Sequence, residues 1–111
     1  MAIVYKESSV QGTAAVGTYA TLYQCPAATT AVVGLIGICN TAATSATFRI
    51  SVMATAGTPT TAEAKTWDTV VAPNDTLSLS LGLVVGASRF VRVSSSANTV
   101  SFFAAVSEIT A

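Results

Sequence analysis

The side chains able to do chemistry are few, and they stand apart from one another. Five carboxylates, Glu7, Glu63, Asp68, Asp75 and Glu108, are scattered singly along the 111 residues. None is spaced to work with another as general acid and general base. There is no histidine, so the commonest general base and the commonest metal ligand are both missing. Cys25 and Cys39 lack the second cysteine pair that a zinc site of this kind needs. If the strands around them form a hairpin centred on "PAAT", Cys39 lies about eight residues up the partner strand, roughly 25 Å from Cys25 at ~3.3 Å per residue. Two reduced, structural thiols are the expectation. Gly34 and Gly37 match no phosphate-cradling motif and are expected to permit a bulge or close packing. No catalytic residue, metal or cofactor is therefore expected, and the chain is read as a protein other than an enzyme.

Binding residues are easier to nominate. Arg89 and Arg92 flank Phe90 and form the one clustered basic pair. Five cations balance five anions, so the chain carries no net charge to draw in a polyanion. Direct binding to nucleic acid is not expected. The two arginines, with Arg49, are read instead as polar contacts across a subunit boundary, where a guanidinium can meet carboxylates or carbonyls. Trp67, beside Asp68, suits either a sugar-stacking platform or an apolar interface anchor. Phe103 is a second anchor candidate, because it breaks the polar face of its strand. Asp75, in "APND", is read as a turn residue whose carboxylate accepts from nearby backbone amides.

The elements that must hold these residues alternate with a period of two. Phe48, Ile50 and Val52 alternate with Thr47, Arg49, Ser51 and Met53. Leu77, Leu79 and Leu81 alternate with polar neighbours, and Val100, Phe102, Ala104 and Val106 share one face of a third strand. Weaker strands are "IVYKES", "TYATLYQC", "KTWDTVV" and "RFVRVSS", with "AVVGLIGIC" expected to be buried on both faces. Turn signals between them recur every eight to twelve residues, and no helical stripe of useful length interrupts. The expectation is an all-β fold, a single antiparallel β-sandwich or jelly roll of about eight strands over residues 1–111, with residues 1–17 as an extended N-terminal arm or edge strand.

Composition adds a constraint on the surface. Charged residues make up 9% of the chain, against ~25% in typical soluble domains. A surface so poor in charge does little to keep copies apart and suits a covered subunit. Met53 and Phe103, both on nominally outer faces, strengthen the expectation of self-association. The longest apolar run ends at Asn40, well short of the ~20 residues that span a bilayer as a helix. The opening "MAIVYKESS" lacks the pattern of a secretory signal.

The series "YATLYQCPAATTAVVGLIGICNTAATSATFRISV" and "APNDTLSLSLGLVVGASRFVRVSSSANTVSFFAAVSEI" resembles a family of small tailed-bacteriophage virion proteins. The shared order is a Leu-Tyr strand ending near Pro, an apolar strand ending in Cys-Asn, a Thr/Ala hinge, "TFRI", a Pro-Asn-Asp turn and a closing strand ending in Glu-Ile. The resemblance spans residues 18 to 109, and this chain departs from it at "AATT", where the family often has glycine. It implies a virion structural protein made in the host cytoplasm: a capsid decoration or cement protein, or else a neck, tail or fibre component. The implied partners are copies of itself, as a trimer, and a major capsid, neck or tail protein, with no membrane. A carbohydrate-binding module is a further alternative. The boundary residues expected are Arg49, Trp67, Arg89, Arg92 and Phe103.

Overall fold

The computed structural model describes residues 2–110. Nine strands follow one another: β1 (Ala2–Gln11), β2 (Ala20–Gln24), β3 (Thr29–Asn40), β4 (Ala46–Met53), β5 (Ala64–Val71), β6 (Thr76–Leu79), β7 (Leu83–Val85), β8 (Phe90–Ser95) and β9 (Val100–Thr110). One 3₁₀ turn, Thr61–Glu63, precedes β5. The strands form two antiparallel sheets, in the orders β1-β9-β3-β6 and β2-β8-β4-β5, with β7 also paired to β3. Gly82, at φ +59°, breaks what would otherwise be one strand into β6 and β7, a backbone conformation that costs glycine little. Counting β6 and β7 together, the first strand pairs with the last, the second with the seventh, the third with the sixth and the fourth with the fifth. That nested pairing is a jelly roll.

Alternation explains the core. Phe48 and Ile50 of β4, Val91 and Val93 of β8, Ile36 and Ile38 of β3 and Phe102 and Ala104 of β9 are all buried between the sheets. Phe48 meets Phe102 across the interior, ring centroids 6.2 Å apart at 73°, the edge-to-face geometry that aromatic quadrupoles favour. One end is tied by Asn40, which is 1% exposed. Its amide donates to the Thr44 and Ala72 carbonyls at 2.9 and 3.3 Å and accepts from the Ala42 N–H at 3.1 Å. The Thr/Ala hinge and the "APND" turn are thereby fastened to the end of β3. In that turn the Asp75 carboxylate accepts from the Thr76 N–H at 2.9 Å.

Three expectations are corrected. The β2–β3 connection is not a hairpin, because β2 belongs to one sheet and β3 to the other. Cys25 and Cys39 are nonetheless both free. Met53 is not exposed on the outer face: it is 3% exposed, paired with Phe90 in register, and the 3₁₀ turn packs against β4. "AVVGLIGIC" is buried on one face only, since Val32 and Leu35 on the other are half-exposed. Gly34 does fall at the bulge between Val33 and Leu35.

Phe102→Ala should cost about 3–5 kcal/mol, the usual range for deleting a buried aromatic. Chemical denaturation of the variant beside the parent chain checks this; a loss under 1 kcal/mol would mean that the two sheets do not meet at this ring.

Candidate functional site

The two sheets present outer faces of opposite character. On the β2-β8-β4-β5 sheet, residues 12–19 run across the outside as a strap. The Ser94 hydroxyl donates to the Val16 carbonyl at 2.8 Å, and the Ser95 hydroxyl donates to the Thr13 carbonyl at 2.9 Å. Arg92 reaches the Thr21 hydroxyl at 2.7 Å and the Tyr19 carbonyl at 3.2 Å. Its Nε and the Ser51 hydroxyl, opposite one another in register, are buried without hydrogen-bond partners among the described residues. Arg92 is thus engaged within its own chain.

A bulge builds the second cluster on this face. Phe48 pairs with Thr69 and Ile50 with Thr66, so Arg49 stands opposite two residues, Trp67 and Asp68. The bulge is made by Asp68 at φ 49°. Both residues then converge on Arg49. Its guanidinium carbon lies 3.5 Å from the centre of the Trp67 ring, a cation–π contact. Its Nε and Nη2 donate to the two Asp68 carboxylate oxygens at 2.7 and 3.2 Å. The fork lowers the Asp68 pKa and raises that of Arg49. Trp67 remains 46% exposed, but a guanidinium already covers one face of its ring. Arg89 lies elsewhere, half-buried where β7 turns into β8, its N–H donating to the Gly86 carbonyl at 3.1 Å.

The β1-β9-β3-β6/β7 sheet has no strap. Register places Ile3, Tyr5, Glu7 and Ser9 of β1 beside Ile109, Ser107, Ala105 and Phe103 of β9. These continue into Thr30, Val32, Leu35 and Gly37 of β3 and onward to Val84 and Ser78. Glu7 is the one charged residue among them. Tyr5 is 81% exposed, Val84 67%, Ile3 50% and Phe103 40%. Phe103 lies flat across Gly37, its register partner: a Cβ built on Gly37 would fall 1.9 Å from the ring's Cζ. Glycine is what lets the ring lie down. The result is a broad, nearly uncharged, largely apolar sheet face, with shallow depressions beside Phe103.

The five boundary residues proposed from sequence therefore do not share one surface. Arg49 and Trp67 touch each other, Arg92 holds the strap on the same sheet, Arg89 sits at a corner, and Phe103 alone belongs to the bare face. Sequence reading missed Ile3, Tyr5, Val32 and Val84. The available signal was "AIVY", where both parities are apolar and no face is left for water.

A polar cluster lies at the inner edge of the bare sheet. Glu108, 6% exposed, accepts from the Tyr23 hydroxyl and pairs with the Lys6 ammonium at 2.9 Å. The hydrogen bond from Tyr23, then that from Lys6, pull the Glu108 pKa below the usual carboxylate range. Burial pushes Tyr23 and Cys25 upward. A phenol and a thiol held protonated make a poor acid and a poor nucleophile, so the cluster braces β1 against β9 and β2. Among the described residues no three His, Cys, Asp or Glu gather as metal ligands, and no helix is long and apolar enough to cross a membrane.

Comparison with known proteins adds the fold's company. No protein-family model matches the chain, and no curated protein does. Among solved structures, the chain is similar to a protein of the T13 particle of infectious bursal disease virus, with TM-score 0.56 and 12% identity, over 97% of this chain and 31% of the other. A structure of the Gx strain of the same virus also matches, with TM-score 0.46 and 12% identity, over 96% of this chain and 32% of the other. The chain thus spans about a third of the proteins it matches. At this identity the likeness is one of fold: this jelly roll occurs within a protein of an icosahedral virus particle.

Because Glu108 has a lower pKa folded than unfolded, its stabilisation is present above the unfolded value of about 4.3 and is lost as pH falls through the folded one. Glu108→Gln should flatten the acid limb of stability against pH, and Tyr23→Phe should move acid unfolding to higher pH. Thermal melts from pH 7 down to pH 3 check both; an unchanged acid limb in Glu108→Gln would refute the assignment.

Proposed function

We propose that this chain is a virion structural protein that works by laying the bare face of its β1-β9-β3-β6/β7 sheet against other subunits. The observation that carries the reading is the asymmetry of the two faces. One is partly covered by the chain's own strap and carries the Arg49–Asp68 ion pair, leaving Trp67 and Val70 exposed on β5. The other exposes Ile3, Tyr5, Val84 and Phe103 around a single carboxylate. Monomeric soluble proteins seldom expose a broad contiguous apolar patch without a use for it. Burying this one would desolvate almost no charge.

The fold's occurrence in an icosahedral particle supports the same reading, as does the sequence resemblance to tailed-phage virion proteins. Within that class we favour a capsid decoration or cement protein. Such a protein binds the assembled shell and not the free subunits, so each filled site stabilises the shell by RT ln(1 + [L]/Kd), on the order of a few kcal/mol when ligand greatly exceeds Kd. A jelly roll with one bare face and one face partly covered by its own strap suits this role, since it can dock on one side and meet solvent on the other. A glycan platform at Trp67 loses support, because Arg49 occupies one side of the ring.

Particles lacking the protein should keep their shape and genome under mild conditions, yet release DNA at lower temperature or on osmotic shock. Added parent protein should restore them, while Phe103→Asp, folded by circular dichroism, should not. Particles as robust as complete ones but without tails, or carrying only a handful of copies each, would move the protein to the neck or tail.

A further inference from the structure

The jelly roll has four edge strands, and three of them carry devices that discourage pairing with another chain. β2 is five residues long with a register shift between Thr21 and Tyr23. β5 has two register shifts and the left-handed Asp68, and it exposes Lys65. The β6/β7 edge is two short pieces separated at Gly82.

β1 has one of these, a lysine, and is neither short nor broken. Its ten residues pair with β9 without a shift, and it holds no glycine or proline. Its one cation, Lys6, is half-exposed at the edge, with its ammonium neutralised by Glu108 at 2.9 Å. Toward its C-terminal end β1 is tied down, with the Ser8 hydroxyl donating to the Leu22 carbonyl and Gln11 donating to the Asn98 and Val100 carbonyls. Residues 2–7 are exposed at every position, on both faces of the strand.

From this we infer that the open half of β1 pairs antiparallel with the same segment of a second copy, joining two sheets into one across a two-fold axis. The inference rests on reading the chain as an assembly subunit and names that subunit's partner. Symmetry restricts the register: in a two-fold antiparallel pair each residue faces a copy of a residue of its own parity, so a single residue sits on the axis. Two registers pair as many as five residues within the exposed segment. With Tyr5 on the axis, Ile3 faces the copy's Glu7. With Val4 on the axis, Ile3 faces Tyr5 in both directions and Val4 faces Val4, apolar against apolar at the centre, while Ala2 faces the stem of Lys6, whose ammonium is held by Glu108. The second register is the one that the residue chemistry selects, since cross-strand aromatic and β-branched pairs are among the favourable ones. A second copy is the occupant for the same reason, because the segment Ile3–Tyr5 is complementary to itself.

The test is cross-linking of the full chain in a Cys39→Ser background with a short bifunctional thiol reagent. Val4→Cys should give covalent dimers in high yield. Ser9→Cys should give none, because in this register the two Ser9 positions lie roughly 34 Å apart at ~3.4 Å per residue. Ile3→Lys, added to Val4→Cys, should reduce the yield at least tenfold, whereas Val70→Lys, on β5 of the other sheet, should leave it unchanged. A Val4→Cys protein that sediments as an oligomer without cross-linking would overturn the β1 contact and leave the assembly reading intact. Cross-linking through Ser9 would overturn the register. Cross-linking through Val4 in a chain absent from particles would uphold the contact and remove the virion role.

Discussion

The contact on which the rest depends is the meeting of two sheets' inner faces where Phe48 packs edge-on against Phe102. A strand has two faces, and once one is committed to this interior the other must face water, the chain's own loops or another molecule. The protein uses a different solution for each sheet. Over the β2-β8-β4-β5 sheet it lays residues 12–19, fixed by Ser94, Ser95 and Arg92, and it neutralises Arg49 with Asp68. Over the other sheet no described residue is laid, and the face is made of alanine, valine, isoleucine, leucine, glycine, serine, threonine, two aromatics and the single carboxylate of Glu7.

That difference turns an ordinary architecture into an argument about function. Jelly rolls serve many purposes, and fold alone does not choose among them. What narrows the choice is a face with a single carboxylate on a chain with zero net charge and 9% charged residues, where electrostatic repulsion between copies is weak. Phe103 shows how the face is kept flat. Its ring lies on Gly37 and not upright, so the sheet offers a broad plane to a partner. The Glu108 cluster keeps β1 in place beside that plane and neutralises Lys6, the cation of the β1 edge.

Much of this was legible in the sequence wherever alternation was strict. Phe48, Ile50 and Val52, and Val100 through Val106, read as core strands and are core strands; Phe103 read as an outward exception and is one. Legibility ended where tertiary structure overrides period. Met53 has the parity of an outer residue but is covered, because the connection to β5 folds back on β4. The β2–β3 connection looks like a hairpin turn, yet the chain crosses there from one sheet to the other, and "PAAT" has nothing local to distinguish the two. The site was less legible than the fold. Arginines and a tryptophan attract attention in a sequence, but a bulge at Asp68 brings Arg49 and Trp67 together within the chain. The bare face is made of residues whose types are unremarkable singly, and only the register gathers them.

The central claim is that the β1-β9-β3-β6/β7 face is covered in the assembled particle. Hydroxyl-radical footprinting with mass-spectrometric readout measures this directly, comparing the free chain with the chain on intact particles. The account predicts strong protection of Tyr5 and Phe103 on the particle, with Trp67 labelled much as in the free chain. Equal labelling of Tyr5 and Phe103 in both states, or protection confined to Trp67, would contradict it.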